Sequence, residues 1–166
     1  MPEDSLNPRG NVVSTYCFVD AGLFDERATR RYHTGVLIFV NKAPILWYSK
    51  QYNTVDTRMF TSDSINLKTA TELVKSLWYK LRMFGIPIKG PTKNFCDNEY
   101  VYKNVSTPDL TFNNNSVSIL YHKFREAVAN GVAQISKEGM ATNLDYLFTK
   151  MLVHIRRGTM LDKFTY

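Results

Sequence analysis

Apolar positions along the chain follow two periods, and segments of each alternate. Val12 to Val19 is rich in β-branched and aromatic residues and ends at Asp20, which predicts a first strand. Gly35 to Val40 is a continuous apolar run and predicts a second strand covered on both faces. Asn41-Lys42 separates it from Pro44 to Ser49, so the second and third strands form a hairpin. A 3.6-residue period then takes over. Ile65, Leu67, Ala70, Leu73, Val74, Leu77, Trp78 and Leu81 predict a long helix. Thr61 or Ser62 caps its start, and Gly85 with Pro87 stops it.

Lys93 to Asp97 predicts a fourth strand, and Asn98 caps a short helix running to Asn104. Val105 to Asn115, with Pro108 and three consecutive asparagines, is a loop. Leu120, Phe124 and Val128 predict a helix over Ser118 to Ala129 that ends at Asn130-Gly131. Val132 to Ser136 is a fifth strand, and Asn143 caps a last helix to about Leu152. No internal repeat is present. Residues 1–10 read as a disordered lead, 11–152 as one domain and 153–166 as a basic tail.

The order is three strands, helix, strand, helices, strand, helix. Short connections make the first three strands an antiparallel meander. Helical crossovers make the fourth and fifth parallel to the strands they join. The expected fold is α/β: a five-stranded mixed sheet, three antiparallel strands then two parallel, flanked by helices. With the first strand central and the fourth beside it, Asp20 and Asp97 lie at the carboxyl ends of neighbouring parallel strands. Open α/β sheets place ligand chemistry at that edge.

Composition adds few constraints. A chain of 166 residues with 44% hydrophobic content is long enough for one domain with a sizeable core. No apolar run approaches a membrane span, and the polar start lacks the layout of a signal peptide. Two cysteines make no disulfide framework, which indicates a reducing compartment, cytoplasmic or nuclear. The net charge of +6 leans towards a polyanionic partner and is equally compatible with an ordinary solubilising surface.

Two aspartates on adjacent strand ends repel each other unless a cation lies between them. Oxygen-only ligands suit Mg²⁺ or Mn²⁺. Asp63 is a third candidate, on the stripe of Leu67, Ala70 and Val74. It has a plainer reading as a favourable charge at a helix N-terminus. Arg27, Arg30, Arg31 and Lys50 are candidate phosphate contacts or simply solvated charges. Trp47 and Trp78 read first as core, and Cys17 and Cys96 as small buried hydrophobes. His33, His122 and His154 show no metal-ligand spacing with the cysteines, and His122 reads as a helix residue that caps or packs.

Several segments recur in one order: PRGNVVSTYCFVDA, ATRRYHTGVLIFVNKAPILWYSKQ, LVKSLWYKLRMFGIPIKGP, FCDNEYVYKN, YHKFREAV and TNLDYLFTK. In these the chain resembles the ribonuclease H domain at the end of copia-type retrotransposon polyproteins. The resemblance implies a ribonuclease H fold and a two-metal nuclease site of four carboxylates. It places the first on Asp20, with Gly22 where the family has a second aspartate. It places the helix carboxylate on Asp63, where the family has glutamate, and keeps Asp97 in the C-D-N segment. The family's last aspartate falls on Tyr146, with Asp145 one residue early and about 100° away on a helix.

The resemblance thus implies catalytic residues Asp20, Asp63 and Asp97, and metal positions Asp20, Asp63, Asp97 and Asp145. The implied partner is an RNA–DNA hybrid, and a reverse transcriptase segment is the implied neighbour in a longer polyprotein. The carboxylate changes imply binding of hybrid with Mg²⁺- or Mn²⁺-dependent hydrolysis impaired or lost. Two alternatives stand beside this expectation. One is an active ribonuclease H in which Asp145 or Glu99 replaces the missing ligand. The other is a non-catalytic interaction module or retroelement remnant.

Overall fold

The computed structural model describes residues 9–23, 32–51, 59–99, 102–103 and 115–137. Five strands form one sheet: β1 (Thr15–Leu23), β2 (Tyr32–Val40), β3 (Ala43–Gln51), β4 (Thr92–Cys96) and β5 (Ala133–Lys137). Two helices are described in full, α1 (Met59–Met83) and α2 (Asn115–Ala129). The sheet order is β3-β2-β1-β4-β5. β1–β2 and β2–β3 are antiparallel, while β1–β4 and β4–β5 are parallel. The expected mixed sheet, with its first strand central, is the observed one.

The pleat divides the residues between two faces. Cys17 and Val19 of β1, and Val36 and Ile38 of β2, pack against Ala70, Val74 and Trp78 of α1. A second cluster joins Leu67 of α1, Cys96 of β4, Phe124 and Ala127 of α2, and Ala133 of β5. The opposite face carries Tyr16 and Phe18, which stack on Phe95, with Phe39 edge-on to Phe18. Val36 to Phe39 are all buried, so β2 is covered on both faces as its continuous apolar run requires. The α1–sheet contact is therefore a row of aliphatic and small side chains, and the far face is aromatic.

Three local devices set the register. Asn41 has φ +57°, a left-handed value that asparagine tolerates better than most residues, and so closes the two-residue β2–β3 turn. Its Oδ1 accepts from the Ser14 N–H at 2.9 Å, and its own N–H donates to the Ser14 carbonyl at 2.7 Å. Gly85 (φ +71°) and Gly131 (φ +66°) end α1 and α2, and the Ile86 and Val132 N–H groups bond back into the last helical turns.

The element bounds differ from the sequence expectation: β2 starts at Tyr32 instead of Gly35, α1 starts at Met59 before the expected caps Thr61 and Ser62, and β4 ends at Cys96, one residue before Asp97. β1 runs on past Asp20 to Leu23, because pairing with β2 continues from Asp20–Gly35 to Leu23–Tyr32 after pairing with β4 has ended. α2 begins three residues before the expected Ser118. Its buried stripe is Tyr121, Phe124 and Ala127, an i, i+3 row, whereas Val128 is 41% exposed. The helix is rolled so that the Tyr121 hydroxyl meets Ser64 of α1 at 3.2 Å in the interior. Trp47 is 66% exposed rather than in the core, because β3 is an edge strand with solvent on its far side. Trp78 is buried as expected, with its indole N–H donating to Thr92 Oγ1 at 2.8 Å.

The expected lead is described from Arg9, whose N–H donates to the Gly85 carbonyl at 2.7 Å. The expected last helix, the basic tail and residues 1–8 lie outside the described residues.

Candidate functional site

β1 and β4 run side by side, and their register ends with Val19 beside Cys96. Asp20 is the next residue of β1 and Asp97 is the residue that follows β4, so both lie at the carboxyl end of the parallel pair. Strand alternation directs both to the aromatic face, away from Cys17 and Cys96, which are buried free thiols on the α1 side. Asp20 is only 4% exposed, and Asp97 is half-buried. A buried carboxylate is costly unless something compensates its charge.

The amino end of α1 is tied to this spot by polar contacts. Asn66, fully buried, donates from Nδ2 to the Asp20 carbonyl at 2.9 Å. The Thr34 hydroxyl donates to Asn66 Oδ1. One asparagine thus clamps β1, β2 and α1 together at the level of Asp20. Asp63 lies three residues earlier in α1, one turn nearer the helix start and on the same stripe. The backbone thus ties the amino-terminal half of α1 to β1 at Asp20. Asp145 and Tyr146, like Arg27, Arg30 and Arg31, lie outside the described residues.

Asn66 was not visible as a site residue in the sequence. Its signal was a polar residue on a helix stripe whose neighbours Leu67, Ala70 and Val74 are all apolar. A polar side chain there needs partners in the interior, and it finds them on the two strands that frame Asp20.

Glu99 begins a helical turn just beyond Asp97, with the Tyr102 N–H donating to the Asn98 carbonyl at 3.1 Å. Its carboxylate is exposed and meets Lys103 at 2.9 Å and Lys137 at 3.5 Å. The hydrogen bond from Lys103 and its charge, with Lys137 adding to both effects, hold the Glu99 carboxyl below the ordinary glutamate value. Two lysines already neutralise Glu99, which makes it a poor replacement for a missing cation ligand. Lys50 is an exposed residue near the end of β3. His122 is exposed on α2, so it does not pack within the helix interior.

Among the described residues no three His, Cys, Asp or Glu side chains gather as a metal-holding group. The described part of the candidate site is the pair Asp20 and Asp97. Two carboxylates offer only oxygen ligands, a donor set that fits a hard divalent cation such as Mg²⁺ or Mn²⁺.

Solved structures share this fold. The N-terminal ribonuclease H domain of Rv2228c from Mycobacterium tuberculosis superposes with a TM-score of 0.61, over 90% of this chain and 97% of that one, at 10% identity. The fold is ribonuclease H-like. Ribonuclease H1 from Halobacterium salinarum matches with a TM-score of 0.54 at 15% identity, over 81% of this chain and 91% of its own. LC11 ribonuclease H1, solved in complex with an RNA/DNA hybrid, matches with a TM-score of 0.57 at 13% identity, over 79% and 88% of the two chains. At these identities the likeness is one of ribonuclease H fold. No protein-family profile and no curated protein matches the sequence. Among the described residues, no helix is long and apolar enough to cross a membrane.

Proposed function

We propose that this domain binds RNA–DNA hybrid at the carboxyl edge of its sheet and that its two-metal hydrolysis of the hybrid is impaired. The observation that supports the proposal is the parallel β1–β4 pair, which ends at Val19 and Cys96 just before Asp20 and Asp97, together with Asn66 of α1 bonded to the Asp20 carbonyl. A ribonuclease H-like sheet presents its chemistry there, and a solved neighbour of the same fold holds an RNA/DNA hybrid.

In this proposal Asp20 and Asp97, with Asp63 of α1, are the residues that would hold the divalent cations. When bound, a pair of such cations activates a water and stabilises the leaving oxygen of a phosphodiester. The protein residues fix the positions of the cations and shape a dry, negatively charged floor. Two changes weaken that floor. Asp63 is one methylene shorter than the glutamate of the copia-type domains it resembles, and a displacement of that size is poorly tolerated in a metal site. Tyr146 supplies a phenol where those domains supply a carboxylate. Hybrid recognition survives these changes, because it rests on phosphate contacts and on the 2′-hydroxyls of the minor groove. The retroelement origin belongs to the same proposal and rests on the sequence segments alone. The two buried free thiols suit an intracellular setting.

A labelled hybrid incubated with Mg²⁺ or Mn²⁺ tests both halves. The expected result is salt-dependent binding with turnover near background. Turnover should rise at least about tenfold when Asp63→Glu is combined with Tyr146→Asp. Robust turnover by the native chain that disappears in Asp97→Asn would overturn the impairment and support an active enzyme that uses Asp145. Failure to bind hybrid at moderate salt would overturn the binding and leave an interaction module or a retroelement remnant.

A further inference from the structure

The end of the sheet opposite Asp20 and Asp97 carries a second surface of different character. The segment 9–14 runs along it as a strap. Val13 donates its N–H to the Pro87 carbonyl at 2.9 Å, and its own carbonyl accepts from the Lys89 N–H at 2.7 Å. With the Arg9–Gly85 and Asn41–Ser14 bonds already described, this joins the end of α1, the lead into β4 and the β2–β3 turn into one continuous edge. The edge is set firmly by backbone bonds and by Trp78, which locks to Thr92.

Five cations stand on this edge: Arg9, Lys42, Lys80, Arg82 and Lys89, all exposed. Among the described residues none of them forms an ion pair. The acidic positions among the described residues lie elsewhere: Asp20, Asp97 and Glu99 at the carboxyl edge, Asp63 near the start of α1, and Glu72 and Glu126 with lysines on the helices. Set among the cations are two exposed rings, Tyr79 at 66% and Phe84 at 69%, with Met83 exposed beside them. The Arg82 guanidinium lies 5.1 Å from the Trp78 ring centroid, which holds it on the helix surface instead of leaving it free. Exposed rings interleaved with unpaired cations have the chemistry of a single-strand platform: the rings stack on bases, and the cations follow the phosphates. A duplex buries its base faces and cannot use the rings in this way.

We propose that this edge binds single-stranded nucleic acid, with Tyr79 and Phe84 as stacking platforms and Lys80, Arg82, Lys89 and Arg9 as phosphate contacts. At about 1.5 Å per residue, Tyr79 lies about 24 Å along α1 from Asp63, so the two sites act on different parts of a strand. The proposal stands apart from hybrid binding, and its test does not depend on the carboxylate site.

The probe is a labelled oligothymidylate of about 20 nucleotides, followed by fluorescence anisotropy over a salt series. The native chain should bind it with an affinity that falls steeply with salt. Tyr79→Ala with Phe84→Ala should weaken binding at least about tenfold at constant salt. Lys80→Glu with Lys89→Glu should weaken it and flatten the salt slope. These four side chains are exposed, and circular dichroism of each double variant checks that the fold persists. The proposal is overturned if the native chain shows no salt-dependent binding, or if the ring variant binds as well as the native chain. Equal binding of polyglutamate, indifferent to Tyr79 and Phe84, also overturns it and makes the edge a dock for acidic protein.

Discussion

The two ends of the central sheet are built from the same strands and hold together by different means. At the amino edge a buried Thr15–Thr92–Trp78 group is overlaid by backbone links: Arg9 to Gly85, Val13 to Pro87, Lys89 to Val13 and Asn41 to Ser14. The exposed side chains there are basic and aromatic. At the carboxyl edge the links are buried polar side chains: Asn66 to the Asp20 carbonyl, Thr34 to Asn66, and Ser64 to Tyr121. The candidate carboxylate Asp20 at that edge is inside the fold, and the strand that bears it is tied to α1 by one side-chain hydrogen bond. An edge closed by backbone bonds tolerates surface change. An edge closed by buried polar side chains couples stability to the geometry of the site.

The largest expected effect tests whether the amino edge is independent of the cation site. Trp78→Ala removes a buried indole that packs on Val74 and bonds Thr92, and should cost about 3–5 kcal/mol in urea unfolding. Divalent-cation affinity, read by calorimetry on the folded variant, should not change. A loss of affinity would show that the two ends are coupled through α1.

Asn66→Ala tests the other side of the comparison. It strands the Thr34 hydroxyl and the Asp20 carbonyl in the interior, and should cost about 2 kcal/mol. Here cation affinity should fall as well, by about tenfold, because the strand bearing Asp20 loses its tie to α1. A stability loss with unchanged affinity would separate the clamp from the site.

Thr15→Val is a smaller change at the amino edge. Thr15 and Thr92 share a buried hydroxyl pair at 2.6 Å, and Thr92 also accepts from Trp78. Because Thr92 keeps the Trp78 bond, the cost should be about 1 kcal/mol by urea unfolding.

The smallest effect concerns Glu99, just beyond Asp97. Its folded-state pKa is lowered by Lys103 first and Lys137 second. Its contribution to stability is therefore present above the ordinary glutamate value and is lost as pH falls through the lowered one. The carboxylate is fully exposed, so solvent screens the effect and unfolding curves should barely register it. Carboxyl chemical shifts should report a low midpoint for Glu99 that rises in Lys103→Ala and, less, in Lys137→Ala. An unmoved midpoint would show that the lysines do not hold the carboxylate in solution.

Much of this molecule was legible as pattern. The period-2 and 3.6-period segments determined five strands and the long helix, and short against helical connections determined which pairs are antiparallel and which parallel. The sequence also made β1 and β4 neighbours, because topology rules allow few orders once β1 is central. Local pattern could not reveal the roll of α2, the exposure of Trp47 or the role of Asn66. Each depends on what lies across a gap: Tyr121 meeting Ser64, solvent beyond β3, and two strands presenting a carbonyl and a hydroxyl to one amide. Those contacts join residues 57, 46 and 32 positions apart. Periodicity reports which side of an element is apolar. Only packing decides which neighbour that side meets, because a buried polar group is stable where distant segments bring donors and acceptors to it.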